Sequence, residues 1–301
     1  MPTFPSLESL GPASYLLALR QRTTAGTQQK TQRMDIDIRP LRTLEELRAC
    51  VALQRETWGD EFTDVVPASI LKVSQRVGGV GAGAFDGAER LLGFVYGLTG
   101  VEKGHIVHCS DMLAVRPEAR NLGLGRALKE FQRRVVGQLG GTVIYWTYDP
   151  LVARNAHLNF NVFGVRVAEY VEDMYGDTES PLHQGIGTDR FIVAWPVPDE
   201  AMKRRLAETH AAGADRELLQ APILNPDNKP PATRNFGERA RIEVPADINA
   251  LQQTDKQQAT AWRHSTRAAI RGALDAGLTV QGFVIDECTH RGYYLLARAR
   301  S

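Results

Sequence analysis

Residues 111–127 read DMLAVRPEARNLGLGRA, and this stretch decides the fold. An apolar run ends at Val115, and Pro117 cannot continue it as a strand. Gly123 and Gly125 then open a segment in which Leu124, Leu128, Phe131 and Val135 recur at helical spacing. A strand therefore runs into a helix through a glycine-bearing loop. The first turn of a helix leaves backbone N–H groups unpaired, and the helix dipole makes that end electropositive, so the loop is an anion site. Glycine lets the backbone come close to a phosphate, where a Cβ would collide. Arg120 and Arg126 add positive charge beside Asn121, Leu122, Gly123, Leu124 and Gly125.

Three phosphate-binding patterns compete for this loop. A dinucleotide fingerprint needs a small residue three positions after its second glycine, and Leu128 stands there. A P-loop needs Gly-Lys-Ser/Thr, which is absent. The third pattern is R-x-x-G-x-G, here Arg120 to Gly125, preceded by MLAV and Pro117. It resembles the acetyl-coenzyme A signature of the GNAT superfamily of N-acetyltransferases. The segments WTYDPLVARNAHLNFNVFG (146–164) and GTDRFIVAW (187–195) further resemble a bacterial GNAT subfamily with a C-terminal extension. The core resemblance covers about 34–197, and the tail IEVPAD…WRHSTRAAI carries it towards residue 301.

Outward from the loop, the element order is β-α-α-β-β-β-α-β-α-β-β. Ile36 and Ile38 alternate with aspartates as a strand up to Pro40. Thr43 with Glu46 has capping-box spacing for a helix, and a second helix is expected over 67–76. A hairpin turns at Asp86 and Gly87, although the glycines of its first strand weaken that strand's reading. Residues 105–115 and 142–150 are strands joined by the helix 122–140, which implies a parallel pair with a crossover. A helix at 153–163 ends at Gly164, and two strands follow. The expected fold is α/β, a mixed, splayed sheet flanked by helices with an appended C-terminal β-α-β-β unit. Residues 1–33 are expected to be a flexible tail, 34–197 the core, 198–240 a proline-rich arm, and 241–301 an extension packing on the core.

Composition excludes several function classes. Thirty-six basic and 35 acidic residues leave a net charge of +1, no field to draw nucleic acid or an anionic membrane. No run is apolar enough to span a bilayer. Three distant cysteines make no disulfide scaffold and suggest a reducing, cytoplasmic setting. No histidine or cysteine spacing supports a metal site.

The resemblance implies acetyl-CoA, or another acyl-CoA, as co-substrate and a small-molecule amine as acceptor, with a homodimer as a further possibility. It implies that backbone groups of Leu113, Ala114 and Val115 pair with the pantetheine arm. The N–H groups from Asn121 to Arg126 would hold the pyrophosphate, Asn155 would bond the arm, and an N–H near Leu113 would polarise the thioester carbonyl. Strand parity places Val107, Cys109, Asp111 and Leu113 on one face and His108, Ser110 and Met112 on the other. Asp111 is the first candidate base, His108 and His105 are alternatives, and Cys109 is a weaker nucleophile candidate without an identified base. The family's usual acid is a Tyr where this sequence has Phe160. Either Tyr148 or Tyr145 substitutes for it, or the thiolate leaves without an acid. A non-catalytic acyl-CoA sensor is the alternative function. Arg263, Arg267 and Arg271 lie four apart and read as a solvated basic stripe.

Overall fold

The alternation around Ile38 forms β1 (Asp37–Pro40), and Thr43 caps α1 (Leu44–Trp58) through a reciprocal box. Glu46 N–H donates to Thr43 Oγ1 at 3.2 Å, and Thr43 N–H to Glu46 Oε2 at 3.2 Å. The computed structural model describes residues 35–176, 186–232, 236–286, 288–289 and 291–298. The tail reading for 1–33 lies outside them. Residues Asp35–Ser301 form one unit.

After α2 (Ala68–Arg76) come β2 (Val80–Phe85), β3 (Leu91–Glu102) and β4 (His105–Val115). Helix α3 (Leu124–Gln138) crosses over to β5 (Val143–Tyr148). Helix α4 (Ala153–His157) runs into a π-type turn, Leu158–Phe163, and then β6 (Arg166–Val171) and β7 (Arg190–Pro196) close the sheet. The strand order is β1-β2-β3-β4-β5-β7-β6. The β4–β5 pair is parallel and every other pair is antiparallel. Despite its glycines, β2 is buried throughout, because it is an inner strand with helices packed on it.

Two irregularities shape the centre. The parallel ladder holds only three pairs, the last being Cys109 with Tyr145. Beyond it β4 and β5 part, leaving a wedge between unpaired strand edges. In the second, Tyr96 pairs with Met112 but Gly97 pairs with Ser110, so Asp111 is the extra residue of a bulge. The bulge corrects the simple parity expected from sequence. His108 and Ser110 face α3, where they meet Gln132 and Lys129. Met112 and Ala114 instead join the core under α1 and α2, with Leu47, Leu53, Phe94 and Tyr96. Leu113 therefore lies on the α3 side, 3.8 Å from where a Gly125 Cβ would stand.

The chain continues through α5 (Asp199–Ala214) and the short α6 (Arg216–Leu219) to β8 (Arg239–Pro245). Helices α7 (Ile248–Thr254) and α8 (Lys256–Asp275) are separated at Asp255, which caps the second. Strands β9 (Leu278–Asp286) and β10 (Arg291–Arg298) complete a second sheet of order β8-β10-β9. Tyr294 joins the two sheets. Its ring meets Phe160, Phe191 and Phe283 at centroid distances of 6.1, 5.6 and 4.9 Å. The contacts with Phe160 and Phe191 are edge-on and that with Phe283 is tilted, and aromatic pairs of this kind contribute about 0.5–1.5 kcal/mol each beyond burial.

The basic stripe is solvated as expected only at Arg271, whose side chain stays exposed. Arg263 is 2% exposed and donates to Asp149 Oδ2 at 2.5 Å and to the Ile186 carbonyl at 3.0 Å. Arg267 donates to Asp189 at 2.9 Å and to Asp173 at 2.8 Å, and Arg271 pairs with Glu172 at 3.0 Å. The stripe clamps α8 onto β5, β6 and β7, because the acidic residues of those strand ends face it.

Candidate functional site

The loop between β4 and α3 keeps its donors exposed. Asn121 and Gly123 have φ of 64° and 76°, and Gly123 is the N-cap with no side chain capping the helix. The N–H groups of Leu124, Gly125 and Arg126 thus point out of the helix without intrahelical partners. A Cβ on Gly123 would meet nothing within 4 Å, and one on Gly125 only Leu113 Cδ2 at 3.8 Å. Protein packing does not demand glycine at 125; the open space over the donors is a cradle that a side chain would fill. Arg120, Asn121, Leu122 and Arg126 are exposed around it, and Arg120 Nε reaches the Val115 carbonyl at 3.3 Å. These residues fit a pyrophosphate. Leu113, Ala114 and Val115 lie on the stretch of β4 that faces the wedge unpaired, so its backbone can take a strand-like arm. Asn155 is half-buried in α4, immediately after β5.

Asp111 sits on the bulge, facing the α1–α2 side with Asp64 nearby. Its carboxyl is pushed above the ordinary range, first by burial among the surrounding atoms and then by the Asp64 charge, although it still meets solvent. Cys109 is exposed on the same side, and its thiol is also raised, by burial and by Asp111. A raised thiol is a poor nucleophile, so the structure gives Cys109 no support in that role.

His108 is excluded as the base. It is fully buried on the α3 side. Thr99 Oγ1 donates to the Gly78 carbonyl at 2.5 Å, so it accepts from His108 Nδ1 at 2.9 Å. His108 Nε2 in turn accepts from Gln132 Nε2 at 3.0 Å. This tautomer is neutral, and burial with the Lys129 charge lowers its pKa to about 4. An unfolded histidine near 6.5 binds a proton that the folded one refuses, so stability falls as pH drops from 6.5 towards 4. The loss should reach about 3 kcal/mol by pH 4, at ~1.4 kcal/mol per unit. Denaturant titrations at pH 7 and pH 4 should show a smaller difference for His108→Gln than for the wild type.

Tyr148 also departs from expectation. It is 5% exposed, its ring packs on Phe191, and its hydroxyl meets that of Tyr294 at 3.3 Å. Tyr294 donates onward to the Pro150 carbonyl at 2.6 Å. Burial holds the Tyr148 phenol far above its ordinary pKa, and its hydroxyl is engaged with the extension rather than presented to the wedge. Tyr145 is on the opposite face, donating to Glu102 Oε2 at 3.0 Å. Phe160 is fully buried. Sequence reasoning missed Lys129, whose ammonium lies between β4 and β5. The signal was present: Lys129 directly follows Leu128 on the buried stripe of α3.

No family model and no curated protein matches this chain. Solved structures match it over about half its length. One chain of the NatC complex bound to Gag peptide and CoA is 15% identical, covering 54% of this chain and 99% of that one with a TM-score of 0.44. The ribosomal-protein-S18-alanine N-acetyltransferase from Escherichia coli is 20% identical, covering 54% and 94% with a TM-score of 0.41. An N-acetyltransferase from Staphylococcus aureus Mu50 is 14% identical, covering 55% and 99% with a TM-score of 0.44. In this chain the mixed sheet parts between β4 and β5, with α3 crossing over between them.

Proposed function

We propose that this protein transfers an acetyl or other short acyl group from coenzyme A to a small amine by direct attack. The observation that carries the reading is the wedge between β4 and β5 with an open glycine cradle at the end of β4. Acyl-CoA would supply an activated thioester. The cradle at Asn121–Arg126 would hold its pyrophosphate through backbone donors and the dipole of α3. The unpaired edge of β4 from Leu113 to Val115 would align the pantetheine arm, and Asn155 would bond it from the other wall. A backbone N–H near Leu113 would polarise the carbonyl. Asp111, whose carboxyl is raised by burial and by the Asp64 charge, would take the proton of the acceptor ammonium.

Acetyl-CoA should raise the melting temperature, and a panel of amines should release free thiol from it. Asp111→Asn is expected to keep the thermal shift and lose about 100-fold in amine-dependent turnover. Unchanged turnover in that variant would remove Asp111 as base. A second reading, an acyl-CoA sensor, is favoured by Phe160, which has no proton to give. Binding without thiol release across the panel would select it.

A further inference from the structure

Lys129 lies in the second turn of α3 and is 5% exposed. Its ammonium donates to Ser110 Oγ at 2.6 Å and stands 3.9 Å from the centre of the Trp146 ring. Ser110 and Trp146 are the first residues of β4 and β5 after their last ladder pair, Cys109 with Tyr145. The ammonium is therefore held at the closed end of the wedge, against both strands as they part.

No carboxylate pairs with this ammonium among the described residues. The groups facing it are the Ser110 hydroxyl and the neutral His108 imidazole from β4, and the Trp146 ring from β5; the Cys109 thiol acts on it only through the sheet, from the other face. Gln132 on its own helix is bonded to His108. Such burial disfavours the charge and lowers the Lys129 pKa from 10.5 to about 7. A methionine would fill the same volume without that penalty. A cation kept in such a place without an anion suits an anion that arrives with the substrate.

We propose that Lys129 is the proton donor and counter-charge for the thiolate that leaves acyl-CoA, the role that Phe160 cannot fill. This rests on the acyltransfer reading above. As the C–N bond forms, the C–S bond breaks and the sulfur departs with the bonding pair. It takes a proton from Lys129 Nζ and leaves as the thiol. The acceptor nitrogen sheds two protons in all. One passes to Asp111 and on to bulk water; the other goes to water that restores the Lys129 ammonium.

Bound CoA itself is the probe. Its thiolate absorbs in the ultraviolet, so a pH titration of the saturated complex, with the desulfo-CoA complex subtracted, reads the thiol without turnover. In the wild type the bound thiol should titrate at least about one unit below the ordinary value near 8.5. Lys129→Met should restore the ordinary value, and Lys129→Arg should keep part of the depression. Lys129→Met should also lose about 100-fold in kcat with little change in the KM for acyl-CoA. A wild-type thiol that titrates at the ordinary value overturns the assignment, whether or not the variants fold. Failure of CoA to bind at all overturns the acyltransfer reading with it, so the two failures are distinct.

Discussion

Gly125→Leu is expected to abolish acyl-CoA binding and leave the protein as stable as before. Gly125 lies in the first turn of α3 with ordinary helical φ, and a Cβ there meets only Leu113 Cδ2 at 3.8 Å. Leucine is the better helix former by about 1 kcal/mol, so the fold gains or loses little. The Cβ of a helical residue tilts towards the helix N-terminus, which here is the exposed cradle of N–H donors. In the wild type, ligand at a hundredfold excess over Kd stabilises by about 2.7 kcal/mol. For a domain of this size that is a rise of roughly 5–10 °C in melting temperature. The variant should show the wild-type melting temperature without ligand, no rise with it, and no thiol release. A variant that keeps the rise would mean the loop does not hold the phosphates.

Arg263→Met is expected to cost about 3–5 kcal/mol of folding stability, because it leaves a buried carboxylate without its charge partner. Asp149 is 8% exposed, and its nearest cationic atom is Arg263 Nη2 at 2.5 Å; Arg190 is farther, at 3.8 Å. The Asp149 carboxylate also accepts from the Leu151 N–H at 2.8 Å, fixing the turn after β5. Adding Asp149→Asn to Arg263→Met removes the stranded charge and should recover much of the loss in denaturant titrations. If Arg263→Met alone is neutral, the clamp between α8 and the end of β5 does not contribute to stability.

Much of the fold was legible before any coordinates. Alternation gave β1, the Thr43–Glu46 spacing gave the start of α1, and Gly164 marked the end of the turn after α4. The run from Val115 to Gly125 announced a strand, a loop and a helix, with a parallel crossover to β5. The bulge was not legible. A single extra residue in β4 is defined only against its partner β3, and nothing local at Asp111 marks it. That one residue turned Met112 away from the face it was expected to share with His108 and Ser110, into the core beneath α1.

The charged residues failed for a related reason. Arg263 was read with Arg267 and Arg271 as a solvated stripe, on four-residue spacing alone. The buried stripe of α8 holds Ala259, Trp262, Thr266, Ala269, Ile270 and Ala273, and Arg263 falls inside it. Lys129 likewise lies on the buried side of α3 beside Leu128 and Gln132. Periodicity counts such residues as breaks in an apolar face. Their meaning depends on what the facing strands present, an aspartate for Arg263 and the Ser110 hydroxyl with the Trp146 ring for Lys129.

The most direct test is a crystal structure of the full chain with bound CoA. The account predicts the pantetheine arm between β4 and β5 beyond Cys109 and Tyr145, the pyrophosphate on the N–H groups of 121–126, and the thiol within hydrogen-bond reach of Lys129 Nζ. A ligand seated elsewhere, with β4 and β5 still empty between them, would contradict it.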